Sequence, residues 1–558
     1  VLDSGRTIDN GSNYGALAFA VPPAFPPSFE GTVFEDIDGD ALAASQFPSD
    51  VNNPGVSGVT VNLYRDDGTT ASEPDAADTL FDTKITGPTG KYFFEGVPDG
   101  TYYVAIDSTT VAPAAGGSGW AEQTYGPVGA ATFSGSYSYA GAAGPLYGGK
   151  QATVSDVATD ASSSEHVARL DLSGGAYVED VDFGFSFNVV TNVEGGDVTS
   201  PQGSLRRFIG NANTVTGSNA MRFVPAVAAN ATDGGGSNWW TIPVTVALSA
   251  LADAATTIDG TAYDSSDGTT VLDTNGLGPE LELDGTGSAA TVDGLLLTGG
   301  SAMIRDIVVN RFGRSGIFIT SNSNTVAASH IGTGATGVGS LGNASEGIAL
   351  DSGAASNLIG GTAASDANLI AYNGSDGVDL KAAAGSGNAI IGNTVMGNTG
   401  MGIDLAPNGV TANDGGDGDS GPNELMNHPV ITSATESGGT VTVVGTFDVP
   451  AGNYRFEFFT NTAADPTGYG EGENLVGSAV IAHTGSGSEP FGAAFPGSAG
   501  DIITVTVTED LGGSYGSTSE FSAAYTVTAP NSLPTAVAGG PYTIAEGEDL
   551  VLDGSGSS

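Results

Sequence analysis

Three groups of carboxylates have a spacing that suits calcium ligands. Asp36, Asp38 and Asp40 alternate along the segment Asp36-Ile-Asp-Gly-Asp40. In an extended turn the three side chains point at a common centre, and Gly39 permits the sharp bend. Ligands that are all oxygens suit a hard divalent cation, Ca²⁺ above all. The segment therefore predicts a calcium loop, with an acidic surface turn as the alternative.

A second acidic segment covers residues 413–424, Asn-Asp-Gly-Gly-Asp-Gly-Asp-Ser-Gly-Pro-Asn-Glu. Glycines separate the carboxylates of Asp414, Asp417 and Asp419. They disfavour a helix or a packed strand, and they allow the chain to wrap around a cation. We expect a calcium-ordered joint between two domains here. A flexible, solvated linker is the alternative.

The third group is the pair Asp379 and Asp404, which occupy the same place in Gly377-Val-Asp-Leu and Gly402-Ile-Asp-Leu. On adjacent parallel strands with their apolar neighbours inward, the two carboxylates would face outward about 5 Å apart. Such a pair needs a cation or a raised pKa. A bridging Ca²⁺, a solvated acidic face and acid–base catalysis on a glycoside all remain open. Lys381 is the only basic residue close in sequence, so we assign no catalytic residue and predict that the chain is not an enzyme.

The elements that would position these residues follow from a repeat. A glycine followed by an apolar–any–apolar triplet recurs at 22- to 31-residue intervals, at Gly294, Gly316, Gly347, Gly377 and Gly402. A second set of short apolar strands lies between them, at Ile304-Arg-Asp-Ile-Val-Val, Ile331, Leu369-Ile370 and Ala389-Ile-Ile. Strands this short are stable only when strands above and below complete their ladders, which predicts a right-handed parallel β-helix over residues 191–428.

Strands of period two flank the repeats. They predict an Ig-like β-sandwich over residues 28–190, with an insertion at 109–180, and a second β-sandwich over residues 429–530. Residues 1–27 are predicted to be a strand or linker and residues 531–558 the first strands of a further domain. The predicted fold class is therefore all-β throughout. Trp120, Tyr125, Tyr137 and Tyr139 are interpreted as a small core of the insertion, with a carbohydrate-stacking platform as the alternative.

Composition excludes several partners. The chain has 14 Lys and Arg against 63 Asp and Glu, a net charge of −49, so no basic stripe exists to neutralise nucleic-acid phosphates. No stretch approaches the roughly 20 apolar residues of a membrane span, so we predict no membrane insertion. Cysteine is absent, which leaves calcium as the natural stabilising device for so acidic a chain.

The N-terminal sandwich resembles a known family. The segments Gly31-Thr-Val-Phe-Glu-Asp-Ile-Asp-Gly-Asp, Gly55-Val-Ser-Gly-Val-Thr-Val-Asn-Leu-Tyr, Thr89-Gly-Lys-Tyr-Phe-Phe and Gly100-Thr-Tyr-Tyr-Val resemble SdrD B-like (Cna-B-like) domains, which stack into stalks on bacterial surface adhesins. That family has Glu before Pro-Gly, where this chain has Asn53. The resemblance therefore implies either an amide oxygen as the fourth calcium ligand or the loss of that ligand.

Three later segments carry further resemblances. Gln202-Gly-Ser-Leu-Arg-Arg-Phe-Ile-Gly-Asn-Ala-Asn resembles the entry of a group of bacterial surface β-helix proteins, in which a short amphipathic helix caps the first coil. Gly468-Tyr-Gly-Glu-Gly-Glu and Thr518-Ser-Glu-Phe-Ser resemble landmarks of the sandwich that follows such β-helices. Residues 533–558, from Leu533-Pro-Thr-Ala-Val to Asp553-Gly-Ser-Gly, resemble the opening of a polycystic kidney disease (PKD) domain.

Together these resemblances imply a secreted protein of the bacterial cell surface, structural or adhesive, and a calcium-stiffened subunit of a fibre or stalk, as in a biofilm. A carbohydrate-active β-helix enzyme, either a polysaccharide lyase or a glycosidase, or a glycan-binding module is the alternative. Strands at residues 14–20, 542–544 and 549–553 have no evident sheet, and they predict head-to-tail self-association. Continuation of both ends into neighbouring domains is equally compatible with them. A surface polysaccharide is the other candidate partner.

Overall fold

The computed structural model describes residues 26–41, 53–68, 70, 73–196, 199–530, 545–547 and 549. Over these residues the chain is all-β with a single α-helix, which confirms the predicted fold class. The terminal strands predicted at residues 14–20 and 542–544, and all but Asp549 of the strand at 549–553, lie outside the described residues, as does most of the PKD-like segment.

The N-terminal sandwich has two main sheets and a small hairpin. Its strands are β1 (Ser28–Glu35), β2 (Thr60–Arg65), β3 (Thr79–Ile85), β4 (Lys91–Phe94), β5 (Gly100–Ile106), β6 (Glu122–Gly126), β7 (Ala131–Phe133), β8 (Tyr137–Tyr139), β9 (Gly144–Pro145), β10 (His166–Leu172), β11 (Tyr177–Val178) and β12 (Phe183–Ser186). One sheet has the order β11-β1-β12-β6-β9 with β4 beside β1, and the other has the order β10-β5-β2-β3. In β4 the side chains alternate strictly, so that Tyr92 and Phe94 enter the core and Lys91 and Phe93 face solvent.

The middle of the chain holds the repeats. Its elements are β13 (Val189–Val190), α1 (Leu205–Ala212), β14 (Arg222–Phe223), β15 (Ala231–Thr232), β16 (Asn238–Pro243), β17 (Thr257–Asp259), β18 (Leu281–Asp284), β19 (Leu295–Leu297), β20 (Met303–Arg305), β21 (Ile307–Asn310), β22 (Ile317–Ile319), β23 (Thr325–Ala327), β24 (His330–Ile331), β25 (Ile348–Leu350), β26 (Leu358–Gly360), β27 (Leu369–Ala371), β28 (Val378–Leu380), β29 (Ala389–Ile391), β30 (Thr394–Met396) and β31 (Ile403–Leu405).

Three sheets, each named here after its last strand, wind around one core. The β31 sheet (β19-β22-β25-β28-β31) contains the five glycine–apolar repeats, each paired in parallel and in register with the next. The β29 sheet has the order β17-β20-β23-β26-β29, and the β30 sheet has the order β15-β16-β18-β21-β24-β27-β30. Strands return to the same sheet every third strand, which is the pairing pattern of a parallel coil. Its right hand stays a prediction.

The short apolar strands predicted between the glycine repeats belong to two different sheets. The run Ile304-Arg-Asp-Ile-Val-Val divides at Asp306, with β20 in the β29 sheet and β21 in the β30 sheet. Asp306 has a φ of 51°, in the left-handed region, and this conformation turns the chain sharply from one sheet to the next. Ala328, between β23 and β24, has a φ of 52° and does the same one coil later.

Buried asparagines hold the corners of the coil. Asn343 donates from its backbone nitrogen and Nδ2 to Oδ1 of Asn373, at 3.2 and 3.0 Å. Asn373 donates in the same way to Oδ1 of Asn398, at 3.0 and 2.9 Å. Parallel ladders run through Asn324, Asn357 and Asn388 and through Asn368 and Asn393. Each ladder satisfies polar groups that burial would otherwise leave without partners.

The helix α1 covers the start of the coil, as its spacing predicts. Leu205, Phe208 and Ile209 are buried in the coil core. Ser204 caps the helix by accepting from the Arg207 amide at 3.3 Å.

The C-terminal sandwich has the strands β32 (Val430–Ser437), β33 (Thr440–Phe447), β34 (Gly452–Asn461), β35 (Asn474–His483), β36 (Glu489–Pro496), β37 (Ile502–Asp510), β38 (Tyr515–Thr518) and β39 (Tyr525–Thr526). A sheet of order β32-β33-β36 faces a sheet of order β35-β34-β37-β38, in which β39 also pairs with β37. Phenylalanines dominate the core between them, and Phe459 and Phe521 pack instead on the end of the coil.

Candidate calcium-binding joints

The structure brings Asp36, Asp38 and Asp40 together. Each offers a carboxylate oxygen, and these oxygens lie within 4.8 Å of one another. Asp36 is fully buried, and its Oδ2 accepts from the Ala41 amide at 3.0 Å. Its Oδ1 is buried without a well-formed hydrogen bond from any described residue, although the Thr124 hydroxyl lies close enough to lower the pKa of the carboxyl. A buried carboxylate oxygen without a donor is the feature that a bound cation would satisfy.

Burial raises the pKa of Asp36 to about 7, and the negative charges of Asp38 and Asp40 add to the effect. The Ala41 amide and the Thr124 hydroxyl oppose it. An ionised Asp36 is therefore costly in this loop unless a positive charge lies beside it.

The acidic loop touches the first turn of the coil. The Tyr147 hydroxyl donates to the Gly39 carbonyl at 2.7 Å, and Nη1 of Arg222, from β14, lies 3.5 Å from the Asp38 carbonyl. Gly39 has a φ of 67°, and a Cβ there would lie 2.5 Å from the side chain of Val189. The loop thus lies at the joint between the N-terminal sandwich and the coil.

The segment that carries Asn53 lies beside the start of this loop. The Pro54 carbonyl accepts from the Glu35 amide at 2.9 Å, and Gly55 forms a bridge with Phe34. Asn53 itself is 1% exposed. The backbone pairing therefore places the amide predicted as a fourth ligand next to the acidic loop, although residues 42–52 between them lie outside the described residues.

Asp414, Asp417 and Asp419 form a second group of the same kind, again with oxygens within 4.8 Å. The Asn427 amide donates to Asp417 at 2.8 Å, and Nδ2 of Asn427 donates to the carbonyls of Asp414 and Asp448, at 3.0 and 2.7 Å. Burial raises the pKa of Asp417 to about 7, and the charges of Asp419 and Asp414 raise it further. Since Asp448 follows β33, this loop lies at the joint between the coil and the C-terminal sandwich.

Asp379 and Asp404 are paired on β28 and β31 as predicted, but they do not form a solvated face. Asp379 is 9% exposed and Asp404 is 1% exposed. Lys381 donates to Asp379 and also to Glu346, the latter at 2.7 Å. In the described part of the chain neither aspartate belongs to a group of three carboxylates close enough to share one ion.

The two aspartates differ in their partners. Asp404 accepts from the Gly409 amide at 3.3 Å through Oδ2, while its Oδ1 is buried without a described partner. Burial raises the pKa of Asp404 to about 7, and the charges of Asp376 and Asp379 add to the effect. Burial also raises the pKa of Asp379, and Lys381 opposes that rise.

Sequence reasoning missed one further acidic group, Asp66, Asp67 and Asp78, whose oxygens also lie within 4.8 Å. Its signal is the pair Asp66-Asp67 immediately after β2. The Asp78 carboxylate accepts from the Asp67 amide at 3.1 Å and from the Asp75 amide at 2.8 Å. These bonds explain the group as a turn that a carboxylate holds together.

Sequence reasoning also missed three buried glutamates that cap the last coil. Glu457 accepts from the Gly392 amide at 2.8 Å, Glu471 from the Asn398 amide at 3.0 Å, and Glu520 from the Leu405 amide at 3.0 Å. One glutamate of the C-terminal sandwich thus serves each of the three coil sheets. A parallel sheet that ended without such acceptors would leave its last amides unpaired.

The aromatic residues of the insertion separate into two environments. Tyr137 and Tyr139 pack on a small buried cluster that includes Tyr103, and Tyr125 is buried, as expected of a core. Trp120 differs because 39% of its surface is exposed.

No protein-family model matches this sequence, and a comparison with curated proteins finds no match. The family resemblances therefore stay predictions. Among the described residues no helix has the length and apolar character needed to cross a bilayer.

Proposed function

We propose that the chain is a structural or adhesive subunit of a fibre or stalk on a bacterial cell surface, with joints stiffened by calcium. One observation carries the proposal. The acidic loops around Asp36 and Asp417 lie at the two ends of the coil, each where a sandwich meets it. Interfaces between domains of one chain permit relative motion by default unless something fixes them. A cation held at each joint would fix both.

The donor sets suit this role. Each loop presents three carboxylates whose oxygens lie within 4.8 Å of one another, and oxygen ligands are those that calcium selects. Extracellular modules bind Ca²⁺ with dissociation constants of about 0.1–1 mM. Loops of this affinity would suit a secreted chain. When bound, Ca²⁺ would supply the positive charge that allows Asp36 and Asp417 to be ionised.

No catalytic role is part of the proposal. Lys381 neutralises Asp379, and the chain around Gly409 covers Asp404. Two carboxylates in these states do not offer the free acid and base that glycoside cleavage requires.

Assembly is proposed to be head-to-tail through the terminal strands. A strand that lacks a sheet and an open edge on the same chain make a contact that does not close, and such contacts propagate into fibres. Deletion of residues 1–27 and, separately, of residues 533–558 should each shorten the particles that light scattering measures. If neither deletion changes particle size, terminal strand exchange is wrong.

The joints are tested by small-angle X-ray scattering of the full chain in Ca²⁺ and in chelator. We expect one narrow distribution of maximum dimensions in Ca²⁺ and a broader one in chelator. The triple variants D36N/D38N/D40N and D414N/D417N/D419N should each broaden the distribution of maximum dimensions even in Ca²⁺. The first should free only the N-terminal joint and the second only the C-terminal joint.

The charge-matched control is E95Q/E179Q/D273N, which removes three exposed carboxylates that belong to neither acidic loop. It should respond to Ca²⁺ as the wild type does. Scattering that does not depend on Ca²⁺, or a control that loses the response as fully as the joint variants, contradicts the proposal.

A further inference from the structure

A groove of about 420 Å³ lies where the N-terminal sandwich meets the capping helix α1. Trp120 and Ser118 line it from the sandwich, and Arg206, Arg207 and Asn211 line it from the helix. Ser249 also lines it. The groove belongs to neither calcium joint, and it holds two of the 14 basic residues of a chain whose net charge is −49.

Arg207 is a cation that lacks a carboxylate partner within the described part of the chain. Its Nε donates to the Ser200 carbonyl at 2.8 Å, and its guanidinium carbon lies 4.2 Å from the centroid of the Trp120 ring. By contrast, Arg305, Arg311 and Arg314 each form an ion pair with an aspartate. Desolvation also lowers the pKa of Arg207, so its charge is incompletely compensated here.

Trp120 is held in place although it is exposed. Its backbone nitrogen donates to Oδ1 of Asn211 at 2.8 Å, and Nδ2 of Asn211 donates back to its carbonyl at 3.0 Å and to the Phe187 carbonyl at 2.9 Å. Asn211 thus fixes the backbone below an indole that is 39% exposed. A large exposed ring on a fixed backbone loses little entropy when a ligand packs on it.

Arg206 fixes the opposite wall. Its guanidinium donates to the carbonyls of Val246 and Ala247, each at 2.7 Å. These contacts tie the segment that carries Ser249 to the helix. The groove is therefore preformed on both sides.

We propose that this groove binds an acidic saccharide, namely a uronate unit of a polysaccharide. The pyranose ring packs on the exposed part of the Trp120 ring that the Arg207 guanidinium does not cover, and its carboxylate pairs with that guanidinium at the edge of the ring. Ser118 and Ser249 also line the groove, and serine hydroxyls suit sugar hydroxyls. Arg is the side chain that best matches a carboxylate, since its planar donors bind both oxygens at once.

An acidic segment of a second copy would meet only half of these features. It would satisfy the charge of Arg207 but offer no ring for the indole. The combination of an exposed indole, a guanidinium and hydroxyls favours a charged sugar over a peptide carboxylate.

The test titrates trigalacturonate into the full chain in chelator, followed by tryptophan fluorescence and calorimetry, with maltotriose as the neutral probe. We expect saturable binding of trigalacturonate alone. Arg207→Gln should weaken it at least tenfold, and Arg207→Lys should restore part of it. Ser249→Trp fills the groove without changing Arg207 and should also weaken binding, which keeps the test valid if Arg207→Gln fails to fold.

Arg314→Gln is the matched control, because Arg314 also lies over an aromatic ring, Phe318, at 4.6 Å but does not line the groove. It should bind as the wild type does. The proposal is overturned by no saturable binding, by equal binding of maltotriose, or by unchanged binding in both groove variants. Self-association of the chain that Arg207→Gln abolishes would also overturn it and would assign the groove to a second copy. Since chelator is present, failure of the calcium joints does not affect the outcome.

Discussion

Glu471 occupies, beyond the last coil, the position that an asparagine takes in the three coils before it. Its Oε1 accepts from the Asn398 backbone nitrogen at 3.0 Å and from Asn398 Nδ2 at 2.8 Å. Asn373 directs the same two donors at Asn398, and Asn343 directs them at Asn373. The C-terminal sandwich therefore completes the coil as a cap and is not merely tethered to it.

Removal of this acceptor should destabilise the coil from its end. Glu471→Ala removes the acceptor of the buried Asn398 backbone amide and of the Gly397 amide, and we expect a loss of about 2–4 kcal/mol in the free energy of unfolding. Glu471→Gln keeps an acceptor for Asn398 but turns an NH2 group toward the Gly397 amide, so it should cost less than Glu471→Ala, about 1–2 kcal/mol. Chemical denaturation measures both, with the exposed Glu95→Ala as control. Equal effects of Glu471→Ala and Glu95→Ala would show that the cap contributes nothing.

The cap at Glu520 should make stability depend on pH. Burial raises the pKa of Glu520 to about 7, against the lowering effect of the Leu405 and Thr411 amides. A carboxyl whose pKa is higher in the folded state stabilises the fold fully below its unfolded pKa of about 4.5, and this contribution is lost as pH rises through about 7. In chelator, the melting temperature should therefore fall between pH 5 and pH 8 by more in the wild type than in Glu520→Gln.

This difference between variants isolates Glu520 from the histidines, whose effect has the opposite sign. Burial lowers the pKa values of His166, His330 and His428, so their contribution is lost as pH falls below about 6.5. Parallel pH profiles for the wild type and Glu520→Gln would contradict the assignment.

Asp404 provides a separate test of calcium within the coil. Without a cation, Asp404→Asn removes a buried charge and should raise the free energy of unfolding at pH 8 by about 1–3 kcal/mol. If Ca²⁺ bridges Asp379 and Asp404, addition of the ion should stabilise the wild type and reverse this order. Calorimetric unfolding in chelator and in Ca²⁺ measures both cases. If Asp404→Asn is less stable than the wild type in chelator, protein groups already stabilise the ionised Asp404 carboxylate and the prediction is wrong.

Local pattern predicted the strands of the coil and the helix at its start but not its corners or its C-terminal cap. The repeats from Gly294 to Gly402 match the β31 sheet strand by strand, because each triplet must bury two apolar side chains to form a rung. The corner at Asp306 has no local signature. An aspartate inside an apolar run is as typical of an outward-facing position in one longer strand as it is of a corner between two strands. Glu471 and Glu520 lie in segments noticed for their resemblance, but their role depends on contacts 73 and 115 residues away in sequence.

The candidate sites were likewise predictable only where they depend on local sequence. The alternating carboxylates of 36–40 and the glycine-rich 413–424 are local patterns, and both converge as predicted. The burial of Asp404 depends on a loop and a cap that follow it, which a strand pattern does not show. The position of the first loop against Arg222 likewise depends on packing between two domains.

The effect of Asp36→Asn on the melting temperature of the N-terminal sandwich should change sign when calcium is added. In chelator, Asp36→Asn removes a buried carboxylate with an unsatisfied oxygen and two like charges nearby, so we expect the N-terminal sandwich to melt at a higher temperature than in the wild type. In Ca²⁺ the wild type gains binding free energy, about 2.7 kcal/mol at 100 times the dissociation constant, and the variant gains much less. The two melting curves should therefore exchange order when Ca²⁺ is added. The matched control Asp273→Asn, an exposed position, should keep the wild-type response. An order that is the same in both conditions would rule out calcium at this joint, because only a ligand that needs the ionised carboxylate reverses it.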